Sequence, residues 1–293
     1  MSRNEDFINA LKTGIKNKYD MDVDIQEQTT KKTNGVVKTG FMVKPVGKHI
    51  APNIYPDLST GEDINSLAES YVDVVYDAIN AAPDVEITKE KANKAITMYA
   101  LNYESNKDVI EEQHIPYIMV DGDIAAIARW QFSNDRGKVG SCFVNESIMK
   151  ACDLTPQEVI DIGMNNVISE EFELPSMESI MGEFGIQPPT PTGMFILTSK
   201  DRTYGARAIL QPEVLSAMHD HFRSDFYILP SSVHEVICIS KEGAPSEREL
   251  SDMIKEVNRT QVAPEEVLSD HLYQSDGKEV ALADIERDEI NLD

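Results

Sequence analysis

Apolar residues recur at helical spacing in several stretches of this chain, and four of those stretches begin with the same local device. A Ser or Thr stands three residues before a Glu at Ser2/Glu5, Ser59/Glu62, Thr155/Glu158 and Ser246/Glu249. This is the capping box, in which a hydroxyl and a carboxylate satisfy N–H groups that the first turn of a helix leaves open. Phe7, Leu11 and Ile15 follow the first box, and Leu250, Met253, Ile254 and Val257 follow the last. Ile64, Leu67, Ala68, Tyr71, Val72, Val75 and Ile79 follow the second and form the cleanest amphipathic stripe. Pro156, directly after Thr155, suits a first helical position because its missing N–H costs nothing there. Pro212–Phe222 reads as a further helix with Leu215, Met218 and Phe222 inward.

Strand-like runs lie between the helices. They are Val36–Val43, Ile50–Tyr55, Ile115–Val120, Ile124–Phe132, Val139–Val144, Met194–Ser199, Ala206–Leu210, Phe226–Leu229 and Val233–Ile239. Asp121-Gly-Asp123 is a turn sequence, and Asn134–Gly137 predicts a hairpin loop. Strand pairs separated by helices predict an α+β fold of mixed or antiparallel sheets with flanking helices. Two subdomains are expected, 1–106 and 107–275. Gln187–Gly193, rich in proline, is a stiff extended connector inside the second. From Asp276 the last 18 residues carry seven acids and two bases, which predicts a mobile acidic tail at 276–293.

Charge narrows the function classes. The chain has 51 acidic and 27 basic residues, a net charge of −24. Residues 49–88 and 151–199 each contain eight acids and no Lys or Arg. Nucleic acids and anionic membranes need clustered cations, so neither is expected as a ligand. A basic protein is the partner that such an exterior suits, whereas a plain solubilising role would give the same charge. The N-terminus lacks a signal-peptide layout, and no apolar run reaches the ~20 residues of a membrane helix. Cys142, Cys152 and Cys238 lack metal-ligand spacing and read as reduced thiols, which points to the cytoplasm.

Candidate chemistry concentrates near the C-terminus. Ser231-Ser-Val-His-Glu235 holds a hydroxyl, an imidazole and a carboxylate, but on a strand Glu235 faces away from His234. Asn258, Arg259 and Thr260 end one predicted helix, Pro264 opens another, and Asp270 and His271 close it. His234, Asn258, Arg259, Asp270 and His271 therefore form the candidate polar cluster. The favoured reading of the Asn258–His271 stretch is helix capping plus one structural Arg–Asp pair. His219 and His221, two apart on a helix, cannot share a metal ion. Trp130 falls in a strand pattern and reads as core or groove wall. Phosphate-cradling, nucleophile-elbow and zinc-protease motifs are absent from the sequence, so no catalytic residue, cofactor or metal is assigned.

Asp225–Ile237 together with Val257–Tyr273 resembles an uncharacterised domain-of-unknown-function family of proteins of about this length. Its members occur in gut clostridia such as Lachnospiraceae, often near mobile elements. The resemblance extends over most of the chain, including Val43–Tyr55. It implies a bacterial cytoplasmic protein of phage or conjugative-element origin, and it carries over no reaction or site residue. Three expectations stand: a non-catalytic protein acting by protein contact, an acidic nucleic-acid mimic inhibiting a defence or nucleic-acid enzyme, and an enzyme using the C-terminal polar cluster.

Overall fold

The computed structural model describes residues 2–47, 51–81, 87–133, 139–188 and 190–284. The chain divides into two compact units. One is Met1–Val85 with Phe132–Gly140, and the other is Glu86–Gln131 with Ser141–Asp293. Ile96–Asn102, inside the expected 1–106 subdomain, lies in the second unit, where it pairs with Ile124–Trp130.

The first unit is built from α1 (Arg3–Tyr19), β1 (Val23–Lys31), β2 (Val37–Pro45), β3 (Asn53–Ile54) and α2 (Ile64–Ala81). The Ser2/Glu5 capping box forms as expected, with Ser2 N–H donating to Glu5 Oε2 at 2.7 Å. β1 pairs antiparallel with β2 from Val23↔Pro45 to Lys31↔Val37, and Phe41↔Ile54 joins β3 to β2. Phe7, Leu11 and Ile15 of α1 pack with Val72, Val75 and Ile79 of α2 and with Ile25, Phe41 and Val43 of the sheet. The box expected at Ser59/Glu62 does not cap α2. Asp63 does, accepting from Asn65 and Ser66 N–H at 3.1 and 3.0 Å, while Ser59 closes a turn on Asp57. Asp is as good a cap as Ser and stands directly before the apolar stripe, whereas Gly61 disfavours helix between them.

From Glu86 the chain runs through α3 (Lys89–Ala95), β4 (Ile96–Asn102), α4 (Lys107–Glu112), β5 (Tyr117–Asp121), β6 (Ile124–Ser133) and β7 (Val139–Phe143). It continues with α5 (Glu146–Cys152), α6 (Pro156–Ile168), β8 (Phe172–Glu173), α7 (Met177–Glu183), β9 (Met194–Ser199) and α8 (Pro212–Phe222). The last elements are β10 (Phe226–Leu229), β11 (Glu235–Ser240), α9 (Glu247–Thr260), β12 (Tyr273–Ser275) and β13 (Val280–Leu282). One sheet has the order β4-β6-β5, with β7 also on β6, and the other has the order β13-β12-β10-β11-β9-β8. The strand pairings are antiparallel, so the α+β class holds. Tyr99, Leu101, Ile124 and Ile127 of the first sheet share one core with Phe226, Ile228, Val236 and Cys238 of the second. Trp130 is buried, as its strand position implied.

Three local expectations change. Gly205–Leu210 is a 3-10 helix, not a strand; it is buried on every side except at Leu210, so its apolar pattern carried no period. No helix opens at Pro264. A short 3-10 turn at Pro264–Glu266 leads into extended chain, and Ser232 bridges Val267. Residues 276–282 close the second sheet instead of forming a tail, because Val280 and Leu282 are buried and Tyr273↔Leu282 to Ser275↔Val280 pair. Residues 285–293 and the expected hairpin loop at 134–137 lie outside the described residues.

A hydrogen-bonded cluster locks this C-terminal segment to the turn between β5 and β6. Asp123 Oδ1 accepts from Ser269 Oγ at 2.6 Å and from Tyr273 Oη at 2.7 Å, and Oδ2 accepts from Asn102 Nδ2 at 2.7 Å. Gly122 has φ +52°, and a Cβ there would stand 2.5 Å from Tyr273 Oη, so the turn needs glycine on both counts.

Candidate functional site

The predicted C-terminal polar residues fall into three separate places. Asn258, in the last turn of α9, donates from Nδ2 to Ser269 O at 2.9 Å and to Asp270 Oδ1 at 2.7 Å. It fastens the helix end to the extended segment, while the C-cap position of α9 is Gln261. Arg259 is 72% exposed and pairs with Glu256 at 2.7 Å, so the expected Arg–Asp pair is an Asn–Asp pair instead. His271 N–H donates to Ser269 Oγ at 3.0 Å. His234 belongs elsewhere. Its Nδ1 accepts from Tyr204 N–H at 3.1 Å, which leaves the ring proton on Nε2, 3.4 Å from Glu266 Oε1. Glu235, beside it in sequence, has its carboxyl raised by burial, with His234 opposing the shift. The other two imidazoles separate as their spacing required. His219 lies 3.6 Å from Asp225, and His221 packs edge-on against Phe195.

Sequence reasoning missed a polar arrangement that centres on Tyr99 of β4. Ile127, Arg129 and Gln131 alternate onto one face of β6, where Ile127 lies opposite Tyr99. Two guanidinium groups flank the buried Tyr99 ring, Arg129 at 5.6 Å and Arg207 at 5.3 Å from its centroid. Tyr204 stacks on the same ring at 4.3 Å, with its own backbone left-handed at φ 52°. That conformation is costly for an aromatic residue, and the Tyr204 N–H bond to His234 and the stack help hold it. Arg207 is fully answered. Its Nε and Nη2 take the Glu170 carboxylate, and Nη1 donates to the carbonyls of Thr203 and Tyr204 at 3.0 and 2.7 Å. Arg129 is not. It is 8% exposed and donates to Ser141 Oγ and O, and among the described residues no carboxylate pairs with it. Burial lowers its affinity for its proton. The signal in the sequence is one cation inside an otherwise uncharged strand run, Ile124–Phe132.

A different kind of surface surrounds α7. Phe184 is 74% exposed and Ile186 53% exposed, just beyond the helix. In and just before α7 the chain carries Glu173, Glu178 and Glu183, and Glu183 is matched by Arg202 at 2.8 Å. Glu178 accepts from the backbone N–H of Thr192, and from its hydroxyl at 2.7 Å, stapling α7 to the proline-rich connector. These bonds hold its pKa at about 2 against 4.5. A depressed folded value means that the staple is at full strength above pH 4.5 and is lost as pH falls toward 2. The protection of the Thr192 amide against hydrogen exchange, taken relative to the unstructured rate at the same pH, is expected to fall over that interval. In Glu178→Gln the exchange is expected to be faster at neutral pH and to have lost this acid dependence.

A groove of about 650 Å³ is lined by Lys89, His114, Glu146, Lys150, Asp153 and Glu158, among others. Its charges are already committed: Lys150 to Glu146 at 2.8 Å, Lys89 to Asp153 at 3.5 Å, and Glu158 to the Thr155 cap of α6. Among the described residues, no three His, Cys, Asp or Glu side chains are grouped to hold a metal ion. No described helix is long and apolar enough to cross a membrane.

Fold and side chains together define an α+β protein of two units, in which the recognisable polar motifs serve caps, turns and strand junctions. Residues 4–276 match the model described as a family of unknown function, DUF5688, and the chain belongs to that family. No curated protein and no solved structure matches it.

Proposed function

We propose that this is a non-catalytic bacterial cytoplasmic protein that acts by binding a basic protein partner through its acidic exterior. One observation carries the reading. The exposed apolar pair Phe184 and Ile186 sits in a stretch, 151–199, with eight acids and no Lys or Arg. An exposed apolar pair among an excess of carboxylates, one of them answered by Arg202, holds the ingredients of a charge-steered interface with an apolar anchor. A basic segment carrying an apolar side chain is the complementary partner. The dispersal of His234, Arg259, Asp270 and His271 favours this reading over an enzyme built on them. The family's association with mobile elements is part of the proposal, and the genes next to this one bear on it.

The test is a pull-down with wild type and with the double variant Phe184→Ser/Ile186→Ser. Wild type is expected to retain a basic protein at low salt and release it at several hundred millimolar, where exposed charges are screened. The double variant is expected to lose it while unfolding at the wild-type temperature. Retention of the same protein by the variant would sink the proposal. A captured nucleic-acid enzyme whose bound DNA competes with this protein would point instead to mimicry of a phosphate backbone.

A further inference from the structure

We infer that Arg129 anchors a binding site for a small carboxylate with an apolar body. The inference is independent of the docking surface near α7. It starts from the contrast between two arginines on one aromatic ring. Arg207, 4% exposed, has a carboxylate and two carbonyls. Arg129, 8% exposed on the same ring, has a hydroxyl and a carbonyl of Ser141 and no carboxylate among the described residues. A buried charge without a counter-charge is strongly disfavoured, and replacing such a group with an apolar one commonly stabilises a fold. The chain has 51 acids available, so an unanswered guanidinium here is not forced by composition.

The geometry around Arg129 selects the ligand class. A guanidinium has five N–H donors in a planar fork. Nε and Nη2 are directed at Ser141, and Nη1 has no hydrogen-bond acceptor among the described residues. The guanidinium carbon lies 4.2 Å from the centre of the Phe143 ring and 5.6 Å from that of Tyr99. The half-buried Tyr204 and Gln131 stand beside them, with Gln131 Nε2 donating to Tyr99 Oη at 2.9 Å. The ionisable neighbours stay neutral, because burial raises the phenol of Tyr204 and the thiol of Cys142. A donor edge with no acceptor among the described residues, aromatic rings beside it and a single uncompensated positive charge fit a monoanion with an apolar body. A polyphosphate would need several cations, and the second guanidinium is already neutralised.

Benzoate and inorganic phosphate are the probes, each added to the full-length protein at constant ionic strength set with chloride. Thermal unfolding and titration calorimetry are read for wild type, Arg129→Met and Arg129→Lys. Benzoate is expected to raise the wild-type unfolding temperature saturably, and phosphate is not. Arg129→Met is expected to fold without the probe and to bind benzoate at least ten-fold more weakly. Arg129→Lys keeps the charge but not the fork and is expected to fall between them, and it serves as the folded comparison if the methionine variant fails to fold. Absence of saturable binding of benzoate to wild type, or equal binding by both variants, overturns the assignment. Protection by phosphate alone overturns the carboxylate class.

Discussion

Replacing Gly205 with alanine is expected to stop the second unit from folding. An added Cβ would lie 2.2 Å from the backbone nitrogen of Ser199, 2.6 Å from Thr198 Oγ1 and 2.7 Å from His234 O. Two of those atoms are backbone, and the third is itself bonded to His234 O at 2.9 Å. Gly205 N–H donates to the same carbonyl at 2.8 Å. The 3-10 turn therefore presses against β9 and the segment before β11 with no space to yield. Overpacking against fixed backbone belongs to the rare class of substitutions that cost more than about 4 kcal/mol. Soluble yield and the urea midpoint measure it. Gly182→Ala is the control, since a Cβ there meets nothing within 4 Å and alanine favours helix. A Gly205→Ala protein as stable as that control would refute the close approach.

Arg207→Met is the second large effect. Removing the guanidinium, which lies over the Tyr99 ring, leaves the partly buried Glu170 carboxylate and the carbonyls of Thr203 and Tyr204 without their donors. Breaking one side of a buried ion pair costs about 3–5 kcal/mol, more than the intact pair contributes over an apolar replacement. The double variant Arg207→Met/Glu170→Leu is accordingly expected to recover part of the loss. Chemical denaturation of both variants forms the comparison. Equal instability of the single and double variants would show that the carbonyls, not Glu170, dominate. The same substitution at Arg129, where no carboxylate is left behind, is expected to be far milder.

How much of this was readable in the sequence depends on how one-sided each element is. α1, α6 and α9 begin at their capping boxes because each box needs only four residues of local chain. β10 and β11 were legible as apolar runs near a turn. β1 was not, since Ile25 is its one buried residue, Val23 is only partly buried and the rest of the strand is polar. β4 was missed for the opposite reason. Every residue from Ile96 to Asn102 is buried, so no alternation marks a face. The polar residues of the C-terminal block were visible one by one, and Asn258 ties the end of α9 to Ser269 and Asp270. Their partners were not visible, because Asp123 and Ser269 meet across 146 positions. Arg129 was legible only as an oddity. Its burial depends on β4 and β7 arriving on either side and on Tyr204 being held in a conformation that local sequence disfavours.

The bonds from Asp123 to Tyr273 and Ser269 set an order of events during synthesis. The β5–β6 turn emerges from the ribosome some 150 positions before its clasp does. Until β12 and β13 have been made, the six-stranded sheet lacks one edge and β10 presents an unpaired flank. A nascent chain halted at position 270 would thus display a sticky half-sheet, the kind of surface that chaperones hold and proteases remove. A stop anywhere between positions 270 and 280 therefore removes strands on which the earlier part of the sheet depends.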